Sequence, residues 1–425
     1  MVSSPAKGGK CPVANPQKSS MLCLNQYIPP EYLGNLRKHK YSGCDRSIVS
    51  RYLMQSYWNF VVGLIPMTVA SNMITFIGFI VGLSSSIPVL YYYYIQNAVY
   101  PSWVWYYAAA SVFFYQTMDA IDGKQARRTG TSSPLGELFD HGCDAFLIPP
   151  LQMNVVLMAN MPPWMTFSYF LLSSLALFAS IWEQYSTGTL DLGYFSAPTE
   201  GILLSCVLFV LTGRYSTSLY DKTLIGPYSI HIPDRLTTLF SKDLVVLQIG
   251  SVRSIGFLFF CFTSVFTILT NIAHVINTPT VQKSKLTCFL IPLPVVVLAV
   301  LHILLYGVYS DVHDAFPLAF ELSFAFLISF MSTRLTLSRL CGMPYSYLNL
   351  LFILTFVITG TSVVTHFYPL SLSKHSNVKR LLGISMMFLT FFGVFQYMHM
   401  IVSVFRQIAS FLNINILFIT PKRQD

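Results

Sequence analysis

The stretch DAIDGKQARRTGTSSPLGELFDHGCD, residues 119–144, decides how the chain is read. It holds Asp119, Asp122, Glu137, Asp140 and Asp144, five of the 17 acidic residues in 425. The sequence around it is 54% apolar and 15% aromatic, with a mean hydropathy of +0.57. Charged residues make up 10%, against about 25% in ordinary soluble domains. The acid is therefore concentrated at one place in an integral membrane composition.

A spanning helix needs about 20 mostly apolar residues. Ten intervals are candidates: 72–95, 103–123, 140–160, 164–184, 200–213, 254–275, 287–308, 318–338, 346–366 and 381–403, the fifth of them short. The expected fold is all-α, a polytopic membrane protein with about ten transmembrane helices. Residues 1–33 read as a flexible cytosolic tail without a signal peptide. Residues 34–68 mix basic residues with Leu, Tyr, Trp and Phe, as an N-terminal interfacial amphipathic helix does. Residues 69–213 form the helices around the acidic stretch, 214–253 a loop region, 254–403 the C-terminal transmembrane helices and 404–425 a cytosolic tail.

The net charge of +9 fits Lys and Arg in cytoplasmic loops. No basic, aromatic-interleaved soluble module points to nucleic acid. Lys38, Lys40, Arg46 and Arg51 precede the first span, and Lys124, Arg127 and Arg128 follow the second. The positive-inside rule then places the acidic stretch on the cytosolic side. Lys222, Arg235 and Lys242 in 214–253 fit this scheme badly. The eight cysteines form no CxxC pair and read as buried thiols rather than a disulfide frame or zinc site. Tyr91, Tyr92, Tyr93, Tyr94, Trp103 and Trp105 mark an aromatic belt.

Asp119 and Asp122 are spaced i, i+3, so they share a helical face. Glu137, Asp140, His141 and Asp144 run i, i+3, i+4, i+7 and do the same. If the two helices are neighbours, four carboxylates converge. Anions cannot share a low-dielectric site without cations. Hard oxygen ligands suit Mg²⁺ or Mn²⁺, and four carboxylates suit two ions that clamp a phosphoryl group. Lys124 and Arg127 supply further positive charge for phosphate. Gly123, Ala126 and Gly136 are small enough for a nucleotide to approach the backbone. Two other readings of these acids are a cation pathway and a structural ion-pair cluster.

The run Asp122-Gly123-x2-Ala126-Arg127-x8-Gly136-x3-Asp140-x3-Asp144 resembles the signature of the CDP-alcohol phosphotransferase family. The segments at 40–75 and 182–201 resemble its eukaryotic choline/ethanolamine branch. That resemblance covers roughly the first half of the chain. It implies transfer of phosphocholine or phosphoethanolamine from CDP-choline or CDP-ethanolamine to diacylglycerol, with release of CMP. It also implies a homodimer in the membrane lipid of the endoplasmic reticulum or Golgi. Another alcohol or acceptor, such as inositol or ceramide, is the alternative within the family, and a divalent-cation transporter the alternative outside it.

By the same resemblance, Asp119, Asp122, Asp140 and Asp144 bind two divalent ions, and Arg127 contacts a phosphate. Glu137, Gly123, Ala126 and Gly136 border the CDP portion. Asn72 matches the Asn that opens the first span, although Ser71 stands where the family usually has Pro. Asp144 is the usual family candidate for the base, yet a metal-bound carboxylate is a poor proton acceptor. His141, with an ordinary pKa of about 6.5, suits a general base and is placed first, with Asp144 second. Glu183, Trp182 and nearby tyrosines are candidates for the head-group ammonium, or for capping and interfacial roles.

Overall fold

A computed structural model describes residues 27–38, 43–192, 197–231, 246–278, 285–309, 312, 315–316, 318–367 and 375–419. The helices are α1 (Pro30–Leu33), α2 (Gln55–Leu64), α3 (Ser71–Ser84), α4 (Ser86–Tyr94), α5 (Ser102–Thr129), α6 (Pro134–Met158) and α7 (Pro163–Thr187). They continue as α8 (Ile202–Tyr215), α9 (Val252–Asn277), α10 (Lys285–Leu290), α11 (Leu293–Val308), α12 (Ala319–Cys341), α13 (Leu350–Phe367) and α14 (His375–Leu412). The protein is an all-α, multi-pass membrane protein, and helix occupies every one of the ten expected intervals. Among the described residues, six helical stretches are long and apolar enough to cross a membrane: Ser71–Tyr94, Pro163–Thr187, Val252–Asn277, Leu286–Val308, Ala319–Cys341 and Lys379–Leu412. Helices α5 and α6 have the length, 28 and 25 residues, but carry the acidic stretch. Helix α8, with 14 residues, is short.

The turn between α5 and α6 is written in the sequence. Gly130 adopts φ +65°, and Thr131 N–H donates to the Ala126 carbonyl at 2.9 Å, a C-terminal cap that stops α5 just after Arg128. Ser133 then caps α6, its Oγ accepting from Gly136 N–H at 3.1 Å, with Pro134 in the first turn. Four residues, 130–133, thus reverse the chain between the two acidic helices.

Helix α3 backs this pair. Gly78 and Gly82 lie one turn apart and face α5: an added Cβ would come within 2.6 Å of Met118 and 3.0 Å of Tyr115. Small residues at this spacing let membrane helices approach closely. The amphipathic segment packs against the same unit. Met54, Trp58 and Val62, four residues apart, are buried with Ile74 and Ile121, while Tyr52, Leu53, Phe60 and Leu64 point outward.

The C-terminal helices wrap α6 and α7. Helix α12 is central: Phe320, Leu327, Ile328, Phe330, Met331 and Leu335 are fully buried. Residues 27–33, the described end of the expected N-terminal tail, dock on α14, where Tyr27 and Ile28 N–H groups donate to Gln407 Oε1 at 3.2 and 3.3 Å. Residues 1–26 lie outside the described residues. Helix α14 continues past 403 to Leu412. The 214–253 region contains an antiparallel pair, β3 (Thr223–His231) with β4 (Val246–Ser251); β1 (Gly43–Asp45) and β2 (Leu190–Leu192) form a short parallel pair. Cys143, Cys206, Cys261, Cys288 and Cys341 are free thiols, four of them buried.

Replacing Gly82 by Val overpacks the α3–α5 seam, and such insertions cost about 1–3 kcal/mol. The expected result is a lowered Tm in detergent micelles; an unchanged Tm would mean the seam relaxes freely.

Candidate active site

Helix α5 contributes Asp119 and α6 contributes Asp140 and Asp144. One carboxylate oxygen from each lies within 4.8 Å of the other two. At that separation two ionised carboxylates repel by about 3 kcal/mol even with an effective dielectric of roughly 20. Asp140 Oδ1 is buried and has no hydrogen-bond partner among the described residues. Three convergent hard oxygen donors with an orphaned lone pair fit a divalent cation. Asp122 stands beside this triangle, one helical turn from Asp119, and accepts a short hydrogen bond from Thr75 Oγ1 of α3.

Two residues outside the acidic stretch hold its carboxylates. Tyr115 donates from its hydroxyl to Asp144 Oδ1 at 2.5 Å. Thr75 binds Asp122 and also donates to the Ser71 carbonyl at 3.2 Å. Sequence reasoning passed over both. Tyr115 could have been found, because it precedes Asp119 by four residues on the same face. Thr75 carried no such signal.

The small residues line the approach. A Cβ on Gly123 would meet only Arg127 Nη1, at 3.6 Å, and one on Gly136 would meet Asn72 Oδ1 at 3.4 Å. Asn72 therefore stands over Gly136. Its amide donates to the Ile416 carbonyl at 2.7 Å, so the far end of the chain closes on the start of the first span. Ala126 is half-buried, and Arg127 is exposed.

The second stripe of α6 faces elsewhere. Glu137 is buried and forms an ion pair with Arg339 of α12, both side chains under 10% exposed. His141, one turn further on, lies in the electrostatic reach of the same pair, and its Nδ1 is buried with no hydrogen-bond partner among the described residues. The four residues expected on one face are thus split. Asp140 and Asp144 face Asp119, while Glu137 faces Arg339. Nothing in the sequence links Arg339 to Glu137, 202 positions away.

Glu183 is not aimed at this centre. It is buried at the end of α7 and pairs with His274 Nδ1 of α9. Trp182 Nε1 donates to the Cys288 carbonyl at 2.8 Å. Both tie helices together.

The family model for CDP-alcohol phosphatidyltransferase matches residues 68–217, which contain every acid of the centre. Choline/ethanolaminephosphotransferase 2 of Arabidopsis thaliana is 32% identical over 323 residues, 75% of this chain and 80% of that protein. The chain belongs to the CDP-alcohol phosphotransferase family. Choline/ethanolaminephosphotransferase 1 of Saccharomyces cerevisiae is 36% identical over 227 residues, 52% of this chain and 56% of its own. An uncharacterized class-I family protein 3 of Dictyostelium discoideum is 39% identical over 199 residues, 46% of this chain and 50% of its own. The chain thus spans only about half the length of some relatives that it matches. In this family member, Arg339 and Ile416 reach the centre from outside the family-model match.

Removing one partner of a buried ion pair costs about 3–5 kcal/mol. Arg339→Gln alone is therefore expected to lower stability sharply, and Glu137→Gln in the same chain to restore part of it. Additive losses in that double-mutant cycle would show that the two residues do not interact.

Proposed function

We propose that this protein transfers phosphocholine or phosphoethanolamine from CDP-choline or CDP-ethanolamine to diacylglycerol and releases CMP. The observation that carries this reading is the triangle of Asp119, Asp140 and Asp144 with Asp122 beside it, in a family that generally depends on a divalent metal. The relatives named choline/ethanolaminephosphotransferase support the choice of alcohol.

Asp119, Asp122, Asp140 and Asp144 would hold two Mg²⁺ or Mn²⁺ ions. When bound, such ions neutralise the diphosphate and stabilise charge developing during in-line displacement. The chain's own residues do the rest. Thr75 and Tyr115 orient Asp122 and Asp144. Exposed Arg127 meets a phosphate oxygen. Gly123 and Gly136 admit the nucleotide close to the backbone, and Asn72 borders it.

The lipid hydroxyl oxygen attacks the phosphorus that bears the alcohol. The bond from that phosphorus to the bridging oxygen breaks, and CMP leaves with the electron pair. His141 takes the hydroxyl proton. Its Nδ1 is unpartnered among the described residues, whereas Asp144 already accepts from Tyr115. Glu137, held by Arg339, sits one turn from the base and fixes the local charge.

Charge placement supports a site facing the cytosol, where a soluble anionic donor arrives, in endoplasmic reticulum or Golgi membrane. Membrane lipid supplies the acceptor between helices, and a homodimer follows the family analogy.

Purified protein with diacylglycerol, Mg²⁺ and either donor is expected to release CMP, and EDTA to abolish release. Asp119→Asn and Asp122→Asn should lose this activity while remaining folded. His141→Ala should lower turnover by about 10²–10⁴ with CDP-alcohol binding retained. Full activity in Asp122→Asn would remove the metal reading. Weakened binding with intact turnover in His141→Ala would move the base to Asp144. No release with either donor would shift the reading to inositol or ceramide chemistry, and metal uptake into vesicles to transport.

A further inference from the structure

Gln125 and Arg128 fill unfixed positions of the signature stretch, and the chemistry above does not use them. Both reach from α5 to the segment that joins α2 to α3. Gln125 is fully buried. Its Nε2 donates to the carbonyls of Pro66 at 2.9 Å and Val69 at 3.0 Å, and its Oε1 accepts from Arg128 Nη1 at 2.9 Å. Both amide hydrogens and the amide oxygen are thus occupied, which fixes the way the amide points. Arg128 Nη1 also donates to the Val62 and Ile65 carbonyls, at the C-terminal end of α2, where a cation is favoured. Lys124, expected to supply charge for phosphate, donates from Nζ to Asn59 Oδ1 of α2 at 2.9 Å.

What this clamp holds is the entry to α3. That helix begins at Ser71 with no side-chain hydrogen bond from its N-cap, Ala70, so no capping residue fixes where it starts. Its first two turns carry Asn72, which stands over Gly136, and Thr75, which binds Asp122. The turn leading into it is closed by Val69 N–H on the Pro66 carbonyl at 3.1 Å. Gln125 grips both carbonyls of that turn from a position three residues after Asp122 on the same helix. The start of α3 is therefore referenced to the acids themselves.

We propose that Gln125 is a positioning residue for the transfer reaction. It anchors the entry to α3 so that Thr75 reaches Asp122 and Asn72 stands over Gly136, and Arg128 holds the Gln125 amide in the orientation this needs. The inference rests on the transferase reading. A tie that only held α2 and α3 to α5 would support the fold without acting through Thr75 and Asn72.

The test compares full-length wild type in detergent with Gln125→Met, which keeps the side-chain length and removes the three hydrogen bonds. Pro66 is exposed, so water can take up its freed carbonyl. Gln125→Met is expected to lower kcat/KM for CDP-choline by about tenfold, and to weaken Mn²⁺ binding by about the same factor, followed by electron paramagnetic resonance without donor or lipid. In a background of Asn72→Ala with Thr75→Val, Gln125→Met should add about twofold or less to either loss. Arg128→Met should behave as Gln125→Met does, and Arg128→Lys should lose less, because an ammonium can still donate to the Gln125 amide oxygen. If Gln125→Met is poorly folded, the two Arg128 variants carry the comparison. Additive losses in the double background, or wild-type Mn²⁺ affinity in the folded variants, would overturn the proposal. Wild type that releases no CMP from either donor would instead overturn the transferase reading, and the Mn²⁺ titration would still decide whether Gln125 positions the acids.

Discussion

Mutual repulsion among carboxylates is the constraint on which the rest of the structure depends. Carboxylate oxygens of Asp119, Asp140 and Asp144 are held within 4.8 Å of one another, with Asp122 close by. Such a group of half-buried carboxylates persists only if the scaffold over-determines it. The Gly130 stop and the Ser133 cap fix the two helices that carry it. Gly78 and Gly82 bring α3 near enough for Thr75 to reach Asp122. Tyr115 holds Asp144. Each is a local interaction whose purpose is clear only from the repulsion it opposes.

The C-terminal half is part of the same solution. Tyr397 donates from its hydroxyl to the Gly142 carbonyl at 2.7 Å, in the middle of the acidic helix, and is itself bonded to Thr333. Arg339 neutralises Glu137, and the Ile416 carbonyl anchors Asn72. A site whose acids all lie within residues 119–144 is therefore braced by side chains and backbone from 333 to 416. The segment at 27–33 docks on α14, which runs on to Leu412.

What could be read from the sequence follows from the range of the interactions. The acidic faces were legible because helical spacing repeats within a turn, and the turn between them because Gly130 and Ser133-Pro134 have local meanings. Apolar runs gave the helices, including the short α8. Arg339 was illegible because an ion pair across 202 positions leaves no periodic trace. Glu183 was ambiguous for the same reason: its partner, His274, lies 91 positions on. Residues 27–33 looked like tail because the few apolar residues that dock them, Ile28 foremost, form no pattern without α14.

Helix α6 carries two kinds of buried acid. Asp140 and Asp144 converge on Asp119 of α5, while Glu137 pairs with Arg339 of α12. The difference lies in where the neutralising charge comes from. Glu137 has a guanidinium built into the fold, and that pair holds α6 against α12. The triangle has no such partner among the described residues, and its converging oxygens fit a divalent ion instead. One helix thus presents an acid already neutralised by the scaffold beside acids left for a cation that is not part of the chain.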